Sequence, residues 1–277
     1  MTRAFIGVSL IAVLSGVIGT FMMLKGLAFI GDAIAHASFG GLVVALLLGF
    51  SLHLGALFIA VFTAVSVTAL GRKTTLRPDT SLVIIFTGAF SLGILGLSLR
   101  PSFAGDLSTL LLGSVLAIQP LDLYWIAAAV GLVGLVCITC YHHLVFIVFD
   151  PAGAEACGLP VTGLQLLLLI LVALSVVVSL QAVGVILVVA LLITPAATAS
   201  LLTRKIKKLM QVAVLIGLIA TWTGLYVSYY FAFPTGATIV VIVTFLFTIA
   251  LIINKATPLL TKKKPTKKNT AQHNSVN

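Results

Sequence analysis

Charge is what this sequence has least of. Only 8% of its 277 residues are Asp, Glu, Lys or Arg, and the acids number six. A water-soluble domain of this length needs far more charged surface than that. The chain is 61% hydrophobic with a mean hydropathy of +1.27. Apolar runs of bilayer-spanning length recur from end to end, leaving no soluble domain of useful size between them. Cysteine is scarce as well: Cys137, Cys140 and Cys157 make an odd set, which excludes a disulfide framework. The chain has no G-x-x-x-x-G-K-[ST] phosphate loop, no H-E-x-x-H and no G-x-S-x-G. ATP hydrolysis by a phosphate loop and the common metalloprotease and hydrolase chemistries are therefore excluded.

The cations that are present lie in blocks. Arg72, Lys73 and Arg77 form one, and Arg204, Lys205, Lys207 and Lys208 a second. Lys255, Lys262, Lys263, Lys264, Lys267 and Lys268 form the third. With Lys25 added, only Arg3 and Arg100 of the sixteen Lys and Arg stand elsewhere. The net charge of +10 thus reports topology under the positive-inside bias rather than an affinity for nucleic acid. The basic tail reads as a cytoplasmic anchor, with anionic lipid as a further possible contact.

The expected fold class is all-α: a polytopic membrane bundle of about eight or nine transmembrane helices plus a short half-helix. Spans are expected near 4–24, 26–49, 54–70, 80–98, 121–141, 163–180, 183–202, 211–231 and 236–254, each within a few residues. The first run lacks a convincing cleavage site and is followed at once by another, so it is read as retained. The charge blocks place the start of the chain outside and the loops at 71–79, 142–162 and 203–210 inside. The apolar stretch 106–118 is too short to span and is expected as a re-entrant piece on the outer side. Residues 1–254 form the transmembrane domain and 255–277 a basic cytoplasmic tail. Frequent small residues, such as Ser15, Gly16, Gly19, Gly93, Gly96 and Gly184, suit close helix approach in lipid.

Ionisable groups inside spans are costly and so mark function. Asp79, Asp150 and Glu155 fall in inner loops, Asp122 at a span start that favours acid, and Asp106 at the outer half-helix. Asp32 alone lies well within an apolar run, in Gly31-Asp32-Ala33-Ile34-Ala35-His36-Ala37. Asp32 and His36 stand four apart on one helical face, and a carboxylate with an imidazole suits borderline divalent metals. Spacing alone leaves this open against a self-satisfied Asp–His pair pinning helices together. Cys137, Cys140 and His143 form an i, i+3, i+6 stripe that could hold a metal, although lone cysteines more often pack as small apolar groups. His53 and His273 read as solvated.

Four stretches, in order, resemble the membrane permease subunits of ATP-binding-cassette importers for zinc, manganese or iron. They are Leu24 to Ala37 with its G-D-x-x-x-H-A core, Asp106 to Ala117, Phe149 to Pro160, and Val183 to Ala199 with its Thr194-Pro195 pair. Leu112 stands where that family usually has Phe, and the Cys137–Cys140 pair is outside its pattern. The resemblance implies two permease subunits around a central pathway, as homodimer or paralogues, with Asp32 and His36 lining it. It implies a cytoplasmic ATPase beneath and an extracytoplasmic metal-binding protein above, in a bacterial-type plasma membrane. The metal is substrate, with no permanent cofactor and no catalytic residues. A short inner helix that couples to the ATPase is expected in Ser200–Gln211, centred on Ser200, Leu201, Leu202, Thr203, Arg204, Lys205, Ile206, Lys207 and Lys208. The 150–160 loop is a second docking candidate. A gradient-driven secondary transporter is the alternative; it would need more buried ionisable groups than this one carboxylate.

Overall fold

The computed structural model describes residues 1–73, 78–98 and 115–260. Hydrocarbon offers no partner to a backbone N–H or C=O, so the apolar runs close their hydrogen bonds within themselves as helices. These are α1 (Thr2–Leu24), α2 (Ala28–Leu48), α3 (Leu52–Lys73), α4 (Pro78–Ser98), α5 (Pro120–Thr139), α6 (Tyr141–Phe149), α7 (Pro151–Ala156), α8 (Val161–Val183), α9 (Val185–Leu202), α10 (Ile206–Phe231) and α11 (Thr235–Leu260). One 3₁₀ turn, Val115–Ala117, precedes α5. Among the described residues nine helices are long and apolar enough to cross a membrane. Most of the proposed outer half-helix at 106–118 lies outside the described residues, as does the side chain of Asp106. Helix α11 continues to Leu260, so the helical part runs past the expected boundary at 254.

The bundle has two packing groups. Helix α2 lies chiefly against α3 and α4, with α8 backing α3, whereas α1 lies against α9 and α10, with α11 across both. Helix α5 packs on α1 and α8. The first apolar run is thus core: Ile11, Ile18 and Phe21 are fully buried. Helices come close where a side chain is missing. A Cβ on Gly19 would collide with the carbonyl oxygen of Leu192, and one on Gly40 with that of Ala89. Four buried hydroxyls are satisfied locally: Thr20, Ser38, Ser175 and Thr221 each donate to the carbonyl four residues earlier at 2.6–2.9 Å.

Two connections depart from the expected plan. Helix α9 runs parallel to α1, since Ala196 and Ala199 pack with Met23 and Leu24 while Leu192 faces Gly19. Gly184 then lies eight residues, roughly 12 Å, above that contact, well short of the outer end of α1. The α8–α9 connection is accordingly a buried single-residue junction instead of an exposed outer loop. Gly184 holds it at φ 81°, ψ 165°, a conformation open only to glycine. The second departure is at Ser200–Gln211, which is no separate short helix. Ser200–Leu202 finish α9, Thr203–Lys205 form the turn, and Ile206 starts the 26-residue α10. The short helices are instead α6 and α7, in the 142–162 region.

Alternating crossings place the α1–α2 turn, α6, α7 and the α9–α10 turn on one face, where Lys25, Arg204, Lys205, Lys207 and Lys208 gather. Lys207 is exposed. A Lys207→Cys variant in intact cells should resist membrane-impermeant thiol reagents and react once the membrane is opened. Labelling from outside would invert the topology.

Candidate metal pathway

Helix α2 begins at Ala28 and ends at Gly49, whose left-handed φ of 76° stops it. Between them Ala33, Ala35 and Ala37 are fully buried, and Ile34 nearly so. Phe29, Asp32, His36 and Val44 recur at helical spacing and are only partly covered, while Gly40 in the same row is buried against Ala89 of α4. Phe29 is 46% and Val44 39% exposed. The side chains of Asp32 and His36 are 31% and 29% exposed. The one acidic group in the midst of a span is therefore only partly covered by its own chain, at the edge of the α2–α4 contact. Asp32 stands about 6 Å and His36 about 12 Å along α2 from its inner end, at 1.5 Å per residue. The pair thus sits in the inner half of the span. Gly31, next to Asp32, faces the Met22 and Leu192 side chains, which fixes the same depth.

The two side chains touch. His36 Nδ1 lies 3.3 Å from Asp32 Oδ1 and 2.9 Å from the Asp32 backbone oxygen. Both neighbours are acceptors, so Nδ1 carries the proton and the lone pair is left on Nε2. That is the arrangement of a metal-ligating histidine, whose second nitrogen is oriented by an oxygen partner. The imidazole edge is framed by α4: Phe90 meets it edge-on at 5.5 Å and Phe86 lies at 6.1 Å. The α4 backbone can come this near because Gly93 meets Gly40 with no side chain between them. The site is one carboxylate and one imidazole beside aromatic rings, opening away from the bundle. Among the described residues no three His, Cys, Asp or Glu side chains gather at one point, so one chain offers an ion two side-chain ligands here.

The cysteine stripe does not assemble. Helix α5 ends at Thr139 and α6 starts at Tyr141, so Cys140 occupies a joint and the i, i+3, i+6 register is broken. Cys137 is buried and His143 exposed. The sequence reading missed a contact at the outer side. His53 is only partly exposed, stacks on Trp125 at 5.5 Å, and has Nε2 3.6 Å from Asp122 Oδ1. Asp122 meanwhile accepts the Gln119 backbone N–H at 2.9 Å, half of a capping box that starts α5. Its helix-start role was legible; its histidine partner, on another span, was not.

The family model for the ABC 3 transport family matches residues 1–254. The chain belongs to that family. Within the ABC 3 transport family it is 37% identical to the manganese transport system membrane protein MntC of Halalkalibacterium halodurans, over 95% of this chain and 90% of that one. It is 36% identical to the chelated iron transport system membrane protein YfeD of Yersinia pestis, over 95% and 88% respectively. Among solved structures, PsaBC from Streptococcus pneumoniae in complex with Fab superposes with a TM-score of 0.84 at 30% identity, covering 94% of this chain and 95% of that chain. Membership in this ABC family displaces the gradient-driven alternative.

Replacing Cys137 and Cys140 together by Ala should leave insertion and transport near the unaltered level, because the broken stripe gives them a packing role only. Abolished uptake at normal expression would show that they act as ligands.

Proposed function

We propose that the chain is the membrane-spanning subunit of an importer for a divalent first-row transition metal, with Asp32 and His36 lining the pathway. The observation that carries the reading is the partly exposed Asp32–His36 pair within a span. A charge at this depth is tolerated only against protein, water or a cation. Two copies, or this chain and a paralogue, facing each other at Asp32 and His36 would bring two carboxylates and two imidazoles to one ion. That set suits manganese, iron or zinc without the tight grip of thiolates. Weak ligation favours release as much as capture, which a pathway needs. Relatives named for manganese and for iron transport support the same substrate class.

Energy would come from a separate cytoplasmic ATPase docked on the inner face, with an extracytoplasmic metal-binding protein delivering the ion from outside. Two exposed pieces suit the ATPase. One is α7, started by Asp150, which accepts the Gly153 N–H at 2.8 Å, and anchored by fully buried Ala154 with Glu155 and Cys157 outward. The other is the stretch Ser200, Leu201, Leu202, Thr203, Arg204, Lys205, Ile206, Lys207 and Lys208, where Arg204, Lys205, Lys207 and Lys208 are exposed. Helix α7 is the better candidate for the coupling element, being short, capped and free-standing where the 200–208 stretch is not. The basic residues 255–277 would remain cytoplasmic, close to lipid headgroups.

Asp32→Asn keeps the shape and loses the charge; His36→Gln keeps a polar group and loses the imidazole lone pair. Each should abolish manganese, iron or zinc uptake in a chain that still inserts and still copurifies with its ATPase. Unaltered uptake in Asp32→Asn would reduce the pair to a structural role. For the docking reading, Cys157 at the end of α7 is a native probe. A short thiol-to-amine cross-linker should join it to the ATPase, and the Cys157→Ser chain should give no product. Absence of any cross-link in the assembled complex would move the docking site elsewhere.

A further inference from the structure

The α1–α2 turn sits directly below the metal pair, and it is unusually well tied. Lys25 ends α1 and Gly26 follows in the left-handed region at φ 71°. The Gly26 N–H donates to Met23 O and the Leu27 N–H to Met22 O, the paired bonds of a Schellman turn. Ile30 N–H then donates to Leu27 O, so hydrogen bonding runs unbroken from the end of α1 into α2. The turn is also a covalent link between the two packing groups, since α1 and α2 pack chiefly on different neighbours.

One long-range contact reaches this turn from below. Lys25 Nζ donates to the backbone oxygen of Ile147 at 3.3 Å, across 122 residues of sequence. Ile147 lies in the last turn of α6, whose carbonyls have no partner within the helix and carry the negative end of its dipole. A lysine ammonium is well suited to that position. Burial of the side chain draws its pKa down from the ordinary value, which sharpens its need for the carbonyl. At the other end of α6, Lys207 lies over the Tyr141 ring, 5.6 Å from its centroid. Helix α6 is thus held by one cation at each end, while Leu144 and Ile147 sink fully into the bundle. Its final residue, Phe149, runs straight through Asp150 into α7.

We propose that Lys25 is a positioning residue for transport, linking the last turn of α6, and through it α7, to the α2 segment that carries Asp32 and His36. A displacement of α7 moves the Ile147 carbonyl, and the tied turn passes that movement to α2 as a unit. The Asp32 carboxylate is one helical turn into α2 and His36 two. The inference rests on the reading that α7 receives the ATPase.

The test uses the permease assembled with its ATPase and binding protein in proteoliposomes, with Mn²⁺ as the probe. Lys25→Met preserves the length and apolar stem of the side chain and removes the donor. It should assemble, keep the Cys157 cross-link to the ATPase and keep hydrolysing ATP. The ATP consumed per Mn²⁺ delivered should rise roughly tenfold, the scale of losing one charge-assisted hydrogen bond. Lys25→Arg, which can donate to the same carbonyl, should restore the ratio. An unaltered ratio in Lys25→Met overturns the proposal, as does equal impairment of the Met and Arg variants. Failure of Lys25→Met to assemble makes the residue merely structural and overturns it too. Failure of the docking reading has a separate signature: the unaltered chain gives no Cys157 cross-link.

Discussion

The bilayer interior penalises every unpaired polar group, and the main features of this chain answer to that constraint. It forces the apolar runs into helices, and it turns buried Thr20, Ser38, Ser175 and Thr221 back onto their own helix backbones. It also isolates the exception. Asp32 cannot be satisfied by a backbone carbonyl, because it brings only acceptors. Its histidine neighbour meets part of the need through Nδ1 at 3.3 Å. The rest of the need is left open at a side chain that its own chain covers only in part. An importer for cations and a buried carboxylate ask for the same thing from opposite sides.

Most of the fold could be read from the sequence because its signal is local. Long apolar runs interrupted by cation blocks give both the spans and their direction, and the first run, the 163–180 run and the 236–254 run all became helices close to their expected bounds. Asp32 and His36 were legible for the same reason: a charge within an apolar run is visible without knowing any neighbour. The features that escaped depend on distant partners or on single torsions. Nothing in the residues around His53 announces Asp122 and Trp125 from another helix. Nothing around Ser9 announces that Trp222 donates to it at 2.9 Å. The cysteine stripe looked continuous because periodicity does not register a joint at Cys140. The inner segment 200–211 was expected as a coupling helix from the family resemblance and its place after Pro195; its charge marks only the side of the membrane, and the turn at Thr203–Lys205 is set by how α9 and α10 pack.

The division of labour within α2 follows from side-chain size. Its buried face is built from Ala33, Ala35, Ala37 and Ser38, which let α3 and α4 come close. Its partly open face carries the ionisable groups, Asp32 and His36. The same helix thereby acts as a packing element on one side and presents ligands on the other. The aromatic rings of Phe86 and Phe90 keep the imidazole from turning away. Small residues behind the ligands matter as much as the ligands, because they fix where α2 stands relative to α4.

The junction at Gly184 carries a mechanical consequence. Helices α8 and α9 meet through one residue, without the slack that a loop of several residues would supply. Any change in the tilt of α9 relative to α8 must be absorbed as rotation about two bonds in the dry interior. The Gly184 amide is already committed to Leu180 O at 2.8 Å, and its carbonyl to the Val188 N–H at 3.2 Å. That rotation therefore strains two hydrogen bonds that water cannot replace. Tilting α9 against α8 is thereby resisted at this joint, and the two helices are held as one stiff arm.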